Sequence, residues 1–118
     1  MNGLPSDINL DFFHGETLLQ ICVGANEIIW NFTGYISITL MSEFACTRPG
    51  GARHGFDDFR RAVGDVAYLV HEAVKSAKGT PDGTLTLEFG DGSRLELYDD
   101  SKQFESYVIS NGDEVIVV

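Results

Sequence analysis

Apolar residues recur along this chain in two periods, and the changes between them lay out the elements. Over 17–23, Leu19, Ile21 and Val23 share one parity, the signature of a half-buried strand. Gly24-Ala25-Asn26 turns the chain, and over 27–33 Ile28, Trp30 and Phe32 take the inner positions. Thr33-Gly34 makes a tight turn, after which Ile36, Ile38, Leu40 and Phe44 carry the inner parity of a third strand over 35–46. These three strands predict an antiparallel meander. The stretch 47–55 then breaks the pattern with Pro49, Gly50, Gly51 and Gly55 and predicts a mobile loop.

From Phe56 the period becomes helical. Phe56, Phe59, Val63, Val66, Ala67 and Val70 fall three and four apart, one face of an amphipathic helix ending near Val70. Asp57 and Asp58 lie in its first turn, where the helix dipole favours negative charge. Gly64 lowers helix propensity by about 1 kcal/mol relative to Ala, so this helix depends on packing.

The second half repeats the strand pattern of the first. A strand is predicted over 73–78, although Ala73, Val74 and Ala77 also continue the helical period. A turn at 80–83 leads to a strand over 84–89 with Leu85, Leu87 and Phe89 inward. Asp91-Gly92 signals a hairpin to 94–98. Further strands follow over 103–109 and, past Asn111-Gly112, over 114–118. Phe32 and Phe89 close corresponding strands ahead of corresponding turns. The expected fold is α+β, two antiparallel β-meanders forming a pseudo-repeat around one amphipathic helix, in a single domain over 1–118. With only one helix to cover the sheets, part of their surface and some strand edges should remain open.

Charge changes the functional picture more than composition does. The formal net charge is −10 on 118 residues, with 43% hydrophobic and 22% charged residues, an ordinary globular balance. Residues 1–47 hold five acids and no Lys or Arg, residues 48–81 are net basic, and residues 82–118 hold nine acids against two bases. Such a surface repels nucleic acid, whose binding needs cations on phosphates. It attracts a basic protein and also serves solubility. No apolar run approaches the roughly 20 residues that span a bilayer, and the first ten residues lack a basic signal-peptide region. No membrane association and a cytoplasmic location are expected. Cys22 and Cys46 occupy mismatched parities, which argues against a disulfide and suits a reducing compartment.

Candidate chemistry is sparse. The loop 48–55 with Arg48, Arg53 and His54, together with Arg60 and Arg61 in the helix that follows, could hold an anion at a helix N-terminus. It lacks the Gly-Lys-Ser/Thr of a phosphate-binding loop, and Asp57 and Asp58 bring negative charge to the same place. Cys46 and His54 are close enough in sequence for a thiol–imidazole pair, but no motif frames them. His14, His54 and His71 lie on three different elements, so no metal site and no cofactor are expected. Tyr107 and Trp30 serve either as core or as interface anchors.

The segment Gly83-Thr84-Leu85-Thr86-Leu87-Glu88-Phe89-Gly90-Asp91-Gly92-Ser93-Arg94-Leu95-Glu96-Leu97, followed by Phe104-Glu105-Ser106-Tyr107, resembles the C-terminal signature of a family of small uncharacterised bacterial proteins. That family shows a Leu-x-Leu-x-Phe-x-Asp-Gly hairpin and then an aromatic-Glu-Ser/Ala-aromatic strand. The resemblance extends to the 15–44 region, is poorest over 48–55, and implies no catalytic residues. By class-level analogy, small acidic α+β proteins recur among immunity proteins of bacterial toxin systems.

These readings converge on a non-enzymatic cytoplasmic binding protein, an immunity-type inhibitor presenting Glu88, Asp91, Glu96, Asp99, Asp100 and Glu105 to a basic protein. The alternatives are a small-ligand or enzymatic domain using Arg48, Arg53, His54 and Arg60, and a self-associating structural subunit forming a homodimer.

Overall fold

A computed structural model describes residues 3–5, 8–100 and 105–118 of the chain. The predicted first meander is present as β1 (Leu18–Val23), β2 (Ile28–Phe32) and β3 (Ile36–Leu40). The second is β6 (Val74–Gly79), β7 (Leu85–Phe89) and β8 (Arg94–Leu97). Between them lies α1 (Phe59–Val66), continued by a 3-10 turn over Ala67–Leu69. The pattern was therefore read correctly as α+β with two meanders around one helix.

One hairpin lies outside the expectation, and the other falls at the Asn111-Gly112 turn where the sequence predicts it. The strand expected over 35–46 stops at Leu40, and residues 41–43 carry the chain across to the other sheet, where β4 (Phe44–Thr47) begins. The expected loop over 47–55 holds β5 (Arg53–Phe56), which pairs back on β4 from Phe44↔Phe56 to Thr47↔Arg53. Phe56 belongs to that strand, so the helix starts three residues later than its period suggested. At the other end, β9 (Tyr107–Asn111) and β10 (Glu114–Val117) pair across the Asn111-Gly112 turn. The predicted start of that strand at Gln103, and Phe104 with it, lie outside the described residues.

Each hairpin joins the meander from the opposite half. The first sheet runs β1-β2-β3-β9-β10 and the second β5-β4-β8-β7-β6, all antiparallel. A meander followed by a hairpin that crosses over is thus executed twice, and the repeat in the sequence is a pseudo-two-fold in the fold. A shift of 56 positions relates Leu18 to Val74, and both strands carry a β-bulge just after these residues.

The two halves meet where β1 and β6 begin. Thr17 bridges Ala73, and four backbone bonds flank the bridge in related pairs. Gly15 N donates to Val74 O and His71 N to Leu18 O, each at 2.8 Å; Leu18 N donates to Glu72 O at 3.0 Å and Val74 N to Glu16 O at 2.8 Å. Inward positions of both sheets then share one core. Trp30 of β2 meets Phe44 of β4 edge-on at 5.5 Å, and Tyr107 Oη donates to Gly83 O at 2.6 Å. Trp30 Nε1 is buried without an acceptor among the described residues, a cost the ring's own burial must outweigh.

The sides of the sheets are closed by unlike segments. α1 touches the edge strands β1 and β5 and sends Ala62 and Val66 into the core. The stretch ahead of β1, related to α1 by the same shift, sends in Leu4 and Leu10 instead. Leu4 packs so closely on Gly79 of β6 that a Cβ there would collide with it.

The pseudo-symmetry exposes one strained residue. Gly15 has φ +81°, and its counterpart His71 has φ +82° although it carries a side chain. His71→Gly should therefore raise stability by about 0.5–1 kcal/mol, the left-handed penalty less the added chain entropy. Urea unfolding followed by Trp30 fluorescence should show a higher midpoint at unchanged slope. A midpoint that stays or falls would mean that His71 is not strained.

Candidate functional site

An open cleft of about 930 Å3 forms where three connections meet. The β1–β2 turn gives Ala25 and Asn26, the crossing between β3 and β4 gives Met41, Ser42 and Glu43, and the start of α1 gives Asp57, Asp58, Phe59 and Arg60; Asp100 completes the wall. Four of these ten residues are acids, and one is basic.

Each acid is held differently. Asp58 is the helix N-cap, its Oδ1 accepting from Arg60 N at 3.1 Å, as expected for a side chain satisfying a free N–H at a helix start. It also pairs with Arg60 at 3.5 Å and Arg61 at 3.7 Å, and the Arg60 hydrogen bond holds its carboxyl below the usual range. Asp100 Oδ1 accepts from Glu43 N at 3.3 Å, which ties the β8 end of the cleft to the crossing segment. Ser42 is buried and donates to Tyr98 O, fixing the same segment from below. Glu43 and Asp57 are exposed. The floor contributed by Met41 and Phe59 is apolar, and Phe59 stacks on Phe44 at 6.3 Å.

A second, smaller pocket of about 150 Å3 is lined by Cys46, Arg48, His54, Phe56 and Asp65. His54 pairs with Cys46 across β5–β4, so the thiol and imidazole are brought together as the sequence allowed. The thiol's hydrogen-bond partner, however, is Tyr68 Oη at 3.5 Å. Tyr68 in turn bonds Ser93 Oγ at 2.8 Å, and Ser93 donates to Asp91 at 3.1 Å. Burial pushes the Cys46 thiol up, and burial pushes the Tyr68 hydroxyl up to about 12. Both groups therefore keep their protons near neutrality, the opposite of an activated nucleophile.

Of the residues expected to hold an anion, Arg48 and His54 line this small pocket together, whereas Arg53 and Arg60 lie elsewhere. Arg48 lies over the Tyr68 ring at 4.1 Å and donates to Asp65 O at 3.2 Å. Arg53 bonds Tyr98 Oη and pairs with Glu96 at 3.6 Å on the outward face of the second sheet. Arg60 is engaged by Asp58 at the helix start. Because β5 intervenes, the Gly-rich turn sits a full strand away from α1, and Asp58 already occupies the helix N-terminus.

The expected acidic set is also divided. Glu88 pairs with Arg94 at 3.4 Å and Glu96 with Arg53, so the second sheet's outward face is mixed in sign. Asp91 lies in the β7–β8 turn, about 25 Å along the strands from Asp99 and Asp100. Asp99 is buried, accepting from Ser106 Oγ at 2.6 Å and Gly3 N at 2.7 Å. Glu105 is exposed. Only Asp100 of the six lines the cleft, where it meets Glu43, Asp57 and Asp58. Asp57 and Asp58 were legible only as acids at a helix start and Glu43 only as part of a strand, since nothing in the linear order brings 43, 57 and 100 together.

Among the described residues no three His, Cys, Asp or Glu side chains are grouped to hold a metal ion. Nor is any helix long and apolar enough to cross a membrane. The chain matches the profile of a family of unknown function, DUF6188, over residues 11–118, and it belongs to that family. No curated protein and no solved structure matches it.

The Cys46–Tyr68 pocket predicts an alkaline limit to stability. Both groups bind their proton more tightly folded than unfolded, so this contribution is complete below the unfolded values and is lost as pH rises through the folded ones. Urea midpoints should fall from about pH 9 towards pH 12, starting with the thiol and followed by the phenol. Tyr68→Phe should flatten the decline above pH 10. An unchanged slope in that variant would show that Tyr68 titrates normally.

Proposed function

We propose that this member of the DUF6188 family is a non-enzymatic binding protein whose acidic cleft receives Lys or Arg side chains of a basic protein partner. The observation that carries the reading is the meeting of Glu43, Asp57, Asp58 and Asp100 around one open cleft with an apolar floor. A Lys or Arg stem can lie on Met41 and Phe59 while its head reaches Glu43, Asp57 or Asp100. The net charge of −10 adds long-range attraction that speeds encounter. Asp58 has a separate task, capping α1 so that Asp57 and Phe59 stay in place. A cytoplasmic, immunity-type inhibitor of a basic bacterial toxin is the specific form of this reading, and small size, acidity and inert Cys46 chemistry support it.

The test uses the immobilised full chain in lysate of the source cell at low salt, with bound proteins identified by mass spectrometry. One stoichiometric basic protein is expected, released at about 0.3 M salt, where charges are screened within a few ångströms. The variant Glu43→Gln/Asp57→Asn/Asp100→Asn should slow association of that protein by about tenfold or more and flatten its salt dependence. Capture that is indifferent to the triple variant, or a bound protein that is not basic, would overturn the proposal.

A further inference from the structure

Two full rows across the outward face of the first sheet carry no charged residue. Reading across the strands in register, one row is Cys22, Ile29, Thr39, Val108 and Val117. The next is Gln20, Asn31, Ser37, Ser110 and Val115. All ten positions are half-buried or exposed, with Val115 at 57% and Val117 at 44%. In a chain with 18 acids this is a large neutral area.

The other half of the fold provides the comparison. On the second sheet the corresponding rows are Lys78, Thr86, Glu96, Ala45 and Gly55, then Ser76, Glu88, Arg94, Thr47 and Arg53. Five of those ten are charged. The same scaffold, with the same register, therefore accepts charge on its outward face without difficulty. Neutrality on the first sheet is a property of that face and not of the architecture.

We propose that this face docks on a second copy of the chain, face to face, in a weak two-fold homodimer. Two chains of charge −10 repel one another least where the facing surfaces carry no carboxylate, and these two rows meet that condition on both sides at once. A basic partner finds no acid here to pair with. A two-fold axis along the central strand β3 sets each row on its own copy, the Cys22 end over the Val117 end. Val, Ile and Thr side chains on pleated sheets then interdigitate at the ordinary spacing of about 10 Å. Five strands about 4.8 Å apart and five residues long cover about 24 by 17 Å, roughly 400 Å2 in projection. The roughly 800 Å2 per partner of a standard interface is larger, so the dimer is a weak, transient one.

Light scattering and sedimentation equilibrium from about 10 μM to 1 mM test this. The mass should rise from 13.0 kDa towards twice that value, and added salt should strengthen association by screening the like charges. That salt response is opposite to the one expected of the acidic cleft, so the two proposals fail separately. Val108→Lys places two buried charges in a symmetric interface and should weaken the dimer by about 100-fold or more. Val108→Thr, a neutral strand former, should keep it, as should Thr86→Lys on the second sheet. Should Val108→Lys lower the unfolding midpoint, Thr39→Lys on β3 replaces it. A monomer at 1 mM in low and high salt, or a dimer indifferent to Val108→Lys and Thr39→Lys, would overturn the proposal, and so would a face occupied by a different protein in preference to itself.

Discussion

Everything in this fold hangs on one backbone crossing. Where β1 and β6 begin, Thr17 and Ala73 face each other, and four N–H···O=C bonds of 2.8–3.0 Å join residues 15–18 to 71–74. Backbone bonds of this kind are individually modest once solvent competition is counted. Here they fix the relative placement of two sheets, and the two β-bulges just beyond them turn both strands away in related directions. The requirement for φ near +80° on both sides follows from that crossing. Gly15 meets it at no steric cost, whereas His71 meets it with strain.

The pseudo-symmetry also explains why the cleft lies where it does. Shifted by the same 56 or 57 positions, Ser42 and Phe59 of the cleft correspond to Asp99 and Gly3. At that related place the polar groups are closed on one another: Asp99 accepts from Gly3 N and Ser106 Oγ, and Tyr107 reaches Gly83. At the cleft the helix start stands in for the arm, and its cap turns Asp57 and Arg60 outward. One copy of the motif is filled by its own chain, and the other is left open and ringed with carboxylates. The outward sheet faces have diverged in the same manner, one mixed in charge and the other neutral. The repeated scaffold thus presents three unlike surfaces: an acidic cleft, a neutral sheet face and a sheet face of mixed charge.

Much of this was legible in the sequence because local periods report local surroundings. Alternation at Ile28-Trp30-Phe32 and Leu85-Leu87-Phe89 gave strands and their inward faces, and the echo between them gave the repeat. The helical period at Phe59, Val66 and their neighbours gave the one helix, while Asp58, read as an acid of its first turn, proved to be its N-cap. Where the reading slipped, the cause was non-local. Phe44 has the same parity as Leu40, so nothing in the pattern marks the crossing at residues 41–43. Arg53, His54 and Gly55 have no strand signature of their own. They form β5 because β4 offers an unpaired edge, and pairing overrides the loop composition.

The acids show the same division. Composition alone established a strongly acidic chain, and periodicity established an α+β fold with a repeated meander. Which carboxylates act together was decided only in three dimensions. Asp99 and Asp100 are adjacent in the chain, yet one is buried in a hydrogen-bonded knot and the other lines the cleft beside Glu43 and Asp57. Sequence fixes which side chains alternate, because that depends on neighbours two to four residues away. The exchange of hairpins between sheets, and the surfaces it assembles, depend on contacts across half the chain, which no local period records.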